Sequence, residues 1–262
     1  MTIADKFLES GYVVLDVEDR PALDDLRATI VLEVAREIGL TNPYSCQFLY
    51  PCHFLDTISI PQNQLNETRL HLYSVLNQLP SIRDRYFSLA RNALEELVGN
   101  ELVMQRNINL SIQVPHDKTS LLDIHADAYG GESPFQVVMW LPLVDCYRTK
   151  SMFILPRAQS EKVTASLASF ASMKAIHEHV KDDLVWLDVP YGRVLIFSPN
   201  CLHGNVVNEE ETTRWSLNCR FKSLFSPYTS AEKSVGSFYM PIEIKSATRL
   251  GLAFKRPEGF KE

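Results

Sequence analysis

Of the seven histidines in the chain, two stand where an imidazole could work on a metal. His125 and Asp127, one alanine apart in LLDIHADAYGG, lie between a strand-like segment and the Gly130-Gly131 pair. In extended backbone, residues two apart point the same way. This His-x-Asp would therefore place an imidazole and a carboxylate side by side, at adjacent positions on one ion. His203, six residues past the strand-like VLIF, offers a third ligand from a distant part of the chain. Two imidazoles and one carboxylate hold one face of an octahedral ion and leave three positions open, which suits non-haem Fe(II) oxygen chemistry. A His-x-Asp alone is a weak signal, because chance supplies one in many chains.

Arg214, eleven residues past His203 in TTRWSLNCRF, adds weight. Alternation puts Arg214, Ser216, Asn218 and Arg220 on one strand face, with Trp215, Leu217, Cys219 and Phe221 on the other. A buried arginine on an otherwise core-like strand needs an anionic partner. A guanidinium fork with a neighbouring hydroxyl is matched to one end of a dicarboxylate; the plain alternative is an ion pair with an Asp or Glu of the chain. Arg220, seventeen residues past His203, is the rival for that role.

The elements that must carry these residues change character along the chain. The first hundred residues read mostly helical after a short strand-like GYVVLDV. Leu23, Leu26, Ile30, Val34 and Ile38 recur at helical spacing up to Gly39, and a Pro-, Tyr- and Asn-rich loop follows over about 41–66. TRLHLYSVLNQL predicts a second helix. Ile82, Tyr86, Leu89, Ala93 and Leu97 predict a third, stopped by Gly99. From Leu102 the period becomes two. Asn107, Asn109, Ser111 and Gln113 share one face, and Ile108, Leu110, Ile112 and Val114 the other. That pattern suits either the wall of a polar cavity or a solvent-facing sheet edge. Strand-like segments follow at 134–145, 151–156, 185–189, 192–197 and 212–225, interrupted by a helical insert at 159–181. Short strands preceded by helices predict an antiparallel sandwich or barrel buttressed by helices.

Composition bounds the rest. The 262 residues are 45% apolar and 22% charged, and Lys+Arg 26 against Asp+Glu 32 gives a net charge of −6. An acidic chain without a basic stripe argues against nucleic-acid binding. No apolar run is long enough for a transmembrane helix. The opening MTIADKFLESGYVV is too charged for a secretory signal. Five cysteines without a C-x-x-C pair (Cys46, Cys52, Cys146, Cys201, Cys219) disfavour a disulfide framework or zinc knuckle, so a cytoplasmic protein is expected. Cys201 and Cys219 are expected as buried thiols close to the site, with oxidation a hazard. His177-Glu-His179 and His116-Asp117 are expected on the surface. His53 and His71 are expected to pack or to line the entrance.

Over most of its length the chain resembles Fe(II)- and 2-oxoglutarate-dependent dioxygenases of the phytanoyl-CoA-hydroxylase type. FLESGYVVLDVEDRPALDDLR resembles their N-terminal signature and LLDIHADAYGG their His-x-Asp segment. FQVVMWLPLVD followed by SMFILPRAQS resembles their mid-sheet strands, and GRVLIFSPNCLHGNVVN with Arg214 beyond it their distal histidine segment. SMFILPRAQS departs from the pattern, lacking the usual preceding glycine and the Gly-Ser-His after Pro156. The entrance there is expected to be built differently. HFLDTISIPQNQLNETRLHLYSVLN resembles a branch found in bacterial carbohydrate-biosynthesis clusters, which points to a sugar or sugar-bearing substrate.

The resemblance implies an α+β chain folded as a double-stranded β-helix, a cupin-like jelly roll, in a single domain over 1–262. Residues 1–100 would be helical support and entrance, 101–225 the jelly-roll core and 226–262 a covering segment. His125, Asp127 and His203 would ligate Fe(II), 2-oxoglutarate would chelate two open positions and O2 would take the last. Arg214 and Ser216 would bind the distal carboxylate of 2-oxoglutarate. Gln113 and Asn109 could each touch 2-oxoglutarate or substrate; Gln113 is assigned to the former and Asn109 to the latter. Tyr129, Asn218 and Arg220 complete the substrate candidates, although Tyr129, like Trp140, could equally be packing. The expected reaction is oxidative decarboxylation coupled to hydroxylation of a small polar biosynthetic intermediate. Desaturation, epimerisation and ring formation stay open, and Asp127 disfavours halogenation because it fills the place a chloride would need. Two alternatives are a cupin-type metal-dependent sugar isomerase or epimerase, which would need a histidine in place of Asp127, and a non-catalytic jelly-roll binding protein.

Overall fold

The computed structural model describes residues 1–37, 60 and 63–259. The predicted loop at 41–66 falls largely outside these residues, as do Ile38, Gly39, Cys46, Cys52 and His53. Two antiparallel sheets face one another across a cavity, the jelly-roll arrangement expected. The larger sheet runs in the order β1 (Tyr12–Asp16), β7 (Arg193–Phe197), β4 (Gln136–Pro142), β9 (Arg214–Ser223), β2 (Leu102–Gln105), β10 (Tyr239–Glu243). The long β9 pairs through its first half with β3 (Asn109–Gln113) and through its second half with β2. The smaller sheet is β6 (Val185–Trp186), β5 (Phe153–Ile154) and β8 (His203–Gly204). Strand β1 comes from the first hundred residues and β10 from the last forty, so the larger sheet draws on all three segments of the chain.

Period-two alternation supplies the two faces of the larger sheet. Outward, Leu110, Ile112, Leu217 and Phe221 meet a helical layer. That layer is α2 (Arg20–Glu37), α3 (Leu65–Gln78), α4 (Ile82–Ser88) and α5 (Arg91–Val98). The stripe Leu23, Leu26, Ile30 and Val34 is buried as its spacing predicts. Each such side chain contributes roughly 1.5–3 kcal/mol by leaving water. Buried Tyr86 spends its hydroxyl on the Met139 carbonyl of β4, 2.7 Å away, which ties helix to sheet. Inward, the register sets Gln113 opposite Arg214, Ser111 opposite Ser216, and Asn109 opposite Asn218, itself paired with Trp140.

Three local expectations are corrected. The stripe from Ile82 to Leu97 is two helices, because Ala90 takes an extended φ of −150° and turns the chain while both halves keep the same buried face. The insert at 159–181 is likewise two helices, α6 (Arg157–Ala165) and α7 (Met173–Val180), joined by a turn at Leu167–Ser169. They pack on the smaller sheet as a second core. A further helix, α1 (Ile3–Ser10), precedes β1. Thr2 caps it, accepting from Asp5 N at 3.1 Å while the Asp5 carboxylate accepts from Thr2 N at 2.9 Å. It ends at Gly11, whose φ of 83° and 2.3 Å clearance from Cys201 Sγ at the Cβ position leave room for no other residue. The last helix, α8 (Ser246–Ala253), buries none of its residues.

Candidate active site

Pairing of the backbone brings the two histidines together. His125 and His203 form an antiparallel bridge at the edge of the smaller sheet, and their ring centroids lie 4.4 Å apart. Each ring is fixed by its own chain: His125 Nδ1 meets the Asp123 carbonyl at 2.6 Å, and His203 Nδ1 meets the Cys201 carbonyl at 3.0 Å. A carbonyl can only accept, so both Nδ1 atoms carry the proton and both Nε2 atoms keep a free lone pair, the state a metal needs.

Asp127 opens a short turn, Asp127–Gly130, rather than continuing the extended segment. Its carboxylate still reaches the rings, with Oδ1 3.6 Å from His125 Nε2 and 4.0 Å from His203 Nε2. The three donor atoms all lie within 4.8 Å of one another, close enough to share one ion. Burial pushes the Asp127 carboxyl up, but the neighbouring His125 ring and Arg220 guanidinium outweigh it and hold it well below the usual carboxylate range. Asp127 in turn raises the His125 imidazole, while burial pushes His203 down to about 4. Asp127 and His203 are thus disposed to the metal-binding protonation state at neutral pH, whereas His125 must give up any proton that Asp127 favours before it can bind an ion.

The donors open into a cavity of about 350 Å³ between the sheets. Asn109, Ser111, Asn218, Arg214 and Arg220 give it a polar side, and Val138, Trp140, Met152 and Phe197 an apolar one. The face of β3 is therefore a cavity wall, not a solvent-facing edge. Arg214 lies in the same cavity, 4% exposed. Nη1 donates to the Ser151 carbonyl and Nη2 to Ser111 Oγ, both at 3.2 Å. Among the described residues it has no carboxylate partner, and its Nε has no hydrogen bond at all. Among the described residues the ion-pair alternative finds no support. Burial pushes the guanidinium down to about 10, so it remains a cation at neutral pH. The hydroxyls of Ser216 and Ser151 are also buried without partners. A buried cation with an unspent donor at the cavity wall fits an anion.

The other candidates fall unevenly. The serine bonded to Arg214 is Ser111, across the β3–β9 pair; Ser216 shares the inward face of β9 with Arg214, and its hydroxyl makes no hydrogen bond to the guanidinium. Gln113 is fully buried behind Arg214: its Nε2 donates to the Val206 carbonyl at 2.7 Å and its Oε1 has no partner. Asn109 Nδ2 donates to Asn218 Oδ1 at 2.9 Å, and both line the cavity. Tyr129 turns away, its hydroxyl 2.6 Å from Thr164 Oγ1 on α6. Arg220 lines the cavity but is engaged with Asp127. Cys201 and Cys219 are buried and their thiols pushed up to about 12 by burial, which argues against the expected oxidation hazard. His177 packs edge-on against Phe153 and His179 against Phe170. Ser111 was legible as part of the polar face of β3; nothing in the sequence singles out Ser151, or Asn205, which lines the cavity two residues past His203.

No family model matches the chain, and no curated protein matches it. Solved structures do. A non-heme monooxygenase, ThoJ, in complex with nickel aligns at 15% identity over 94% of this chain and 89% of that one, with a TM-score of 0.56. EctD from S. alaskensis in its apo form aligns at 16% identity over 92% and 84%, with a TM-score of 0.61. The same protein with 2-oxoglutarate and 5-hydroxyectoine aligns at 17% identity over 90% and 81%, with a TM-score of 0.56. At these identities the likeness carries the fold. Among the described residues no helix is long and apolar enough to cross a membrane.

Proposed function

We propose that the protein is a non-haem Fe(II)- and 2-oxoglutarate-dependent oxygenase that oxidises a C–H bond, by hydroxylation in the first instance, of a small polar substrate in the cytoplasm. The supporting observation is a single cavity that holds both three convergent metal-donor atoms and a buried arginine without a carboxylate partner among the described residues. A dicarboxylate with a 2-oxo group has one end for each. The likeness to EctD, solved with 2-oxoglutarate, agrees with that ligand.

His125 Nε2, His203 Nε2 and Asp127 Oδ1 would hold Fe(II), and the chemistry such a centre supplies when loaded is activation of dioxygen coupled to loss of CO2 from the 2-oxo acid. The protein's own residues do the positioning. Arg214 and Ser111, with the free hydroxyls of Ser151 and Ser216, clamp the distal carboxylate. Val138, Trp140, Met152 and Phe197 keep water from one side of the cavity. The amides of Asn109 and Asn218 offer a donor and an acceptor to hydroxyl groups, which suits a sugar-bearing substrate.

The test is anaerobic addition of Fe(II) and then 2-oxoglutarate to purified protein. A weak visible charge-transfer band should require both additions and be absent in His125→Ala. Binding of 2-oxoglutarate that is no tighter with iron than without it would overturn the proposal.

A further inference from the structure

Arg220 lines the cavity, but its guanidinium is spent on the protein. Nη2 donates to Asp127 Oδ2 at 2.8 Å, Nη1 donates to Gln105 Oε1 at 3.1 Å, and Nε faces Glu132 Oε2 at 3.7 Å. The Arg220 side chain is 15% exposed and Asp127 10%, so this pair is largely out of water. Glu132 is itself tied down by Lys233 Nζ at 2.6 Å, and Lys233 also approaches the Gly130 carbonyl at 3.5 Å. Thr229 adds a bond to the Gly131 carbonyl at 3.0 Å. The C-terminal segment thus grips the turn that carries Asp127.

The two oxygens of Asp127 have different surroundings. Oδ1 faces both imidazoles and Oδ2 is taken by Arg220. We propose that Arg220 is a positioning residue that keeps Asp127 a one-oxygen metal ligand, with Glu132 and Lys233 bracing it from behind. With Oδ2 released, the carboxylate could turn both oxygens to the ion and occupy a position that a chelating 2-oxo acid requires. A forked guanidinium suits the task, because its two Nη atoms bond Gln105 and Asp127 in one fixed plane, whereas an ammonium is a point charge with no preset direction. The inference rests on the metal-centre reading above.

Co(II) is titrated under nitrogen into the wild type, Arg220→Met and Arg220→Lys, followed by 2-oxoglutarate, with visible absorption and calorimetry as readouts and thermal unfolding as the check on folding. Arg220→Met should still bind Co(II), show a changed d–d spectrum, and bind 2-oxoglutarate about tenfold more weakly or worse once cobalt is present. Arg220→Lys keeps the charge and most of the stem, and should recover part of the affinity; it also covers the case in which the Met variant does not fold. A folded variant with the wild-type spectrum and wild-type 2-oxoglutarate affinity overturns the role, as it would if Arg220 served only to bind substrate. Failure of the wild type itself to bind Co(II), or to bind 2-oxoglutarate in a cobalt-dependent way, overturns the metal-centre reading and this role with it.

Discussion

His125 and His203, far apart in sequence, exchange both backbone hydrogen bonds of one antiparallel bridge, at 2.9 Å from His125 N to His203 O and 2.8 Å in return. The spacing of the two proposed ligands is therefore set by main-chain pairing, and anything that parts these segments will disturb the site before it touches a ligand.

Gly204, next to His203, is where that sensitivity can be probed. A Cβ there would lie 2.8 Å from the Leu122 carbonyl and 2.8 Å from Phe153 Cζ. The Leu122 backbone is held in place by Asn205, its N–H donating to Asn205 Oδ1 at 2.6 Å. Gly204→Ala should cost about 1–3 kcal/mol in urea unfolding and weaken Co(II) binding. Gly130→Ala, whose Cβ meets nothing within 4 Å, is the control. Equal behaviour of the two variants would count against a site set by this pairing.

Arg214→Met separates binding from stability. The side chain it removes is a buried cation without a carboxylate partner among the described residues, so the ligand-free variant should melt at or above the wild-type temperature. At a hundredfold its Kd, 2-oxoglutarate should stabilise the metal-loaded wild type by roughly 2.7 kcal/mol and the variant by far less at the same concentration. A variant that retains the full ligand-induced shift would exclude Arg214 from the carboxylate site.

Arg69 on α3 pairs with Asp117 at 2.7 Å, with side-chain exposures of 16% and 0%. This pair fixes the segment leading to His125, since Asp117 also accepts from Thr119 N at 2.8 Å. Arg69→Met leaves that carboxylate without its cation and should destabilise the protein by on the order of 3 kcal/mol, read by denaturant unfolding at pH 7. A loss below about 0.5 kcal/mol, the scale of an ordinary surface change, would show the pair to be dispensable.

Lys222 gives a pH signature. It is fully buried, donates to the Pro227 carbonyl at 2.6 Å, and lies 3.8 Å from the centre of the Tyr228 ring. Burial pushes its ammonium down to about 8 from 10.5. Between those values the unfolded chain holds the extra proton, so the contribution of Lys222 to stability rises with pH; below about 8 both states hold it and the contribution is flat. The unfolding free energy of the wild type minus that of Lys222→Met should therefore climb from pH 8 to 10.5. A difference that stays constant over that range would contradict the burial argument.

How much of this was legible in the sequence depends on what each feature requires. Arg214 stands out, because a charged side chain on a strand with a core-like reverse face has few bland explanations, whereas His125 and Asp127 gain weight only in company with His203 and Arg214. An antiparallel sandwich or barrel followed from the order of short strands after helices, and the jelly roll from the family resemblance. The partner of Arg214 was not legible. Alternation sends Ser111 and Ser216 both inward, and only the β3–β9 register decides which of them meets the guanidinium. Arg220 presented the same inward pattern as a substrate-binding residue. Its engagement with Asp127 arises from a closure of the sheets that no local spacing encodes. The break at Ala90 was hidden for the opposite reason: both helices bury one continuous stripe, so the periodicity runs through the bend without a fault.

The three proposed ligands differ in what keeps them aimed. Both imidazoles lean on backbone carbonyls, those of Asp123 and Cys201. Every residue type has such a carbonyl, so that support survives any substitution at 123 or 201 that leaves the main chain in place. Asp127 leans on one guanidinium. A single codon change can withdraw it. In a lineage that drifts, the histidine geometry is the durable half of this centre, and the carboxylate side is the half on which selection can act to remodel the chemistry.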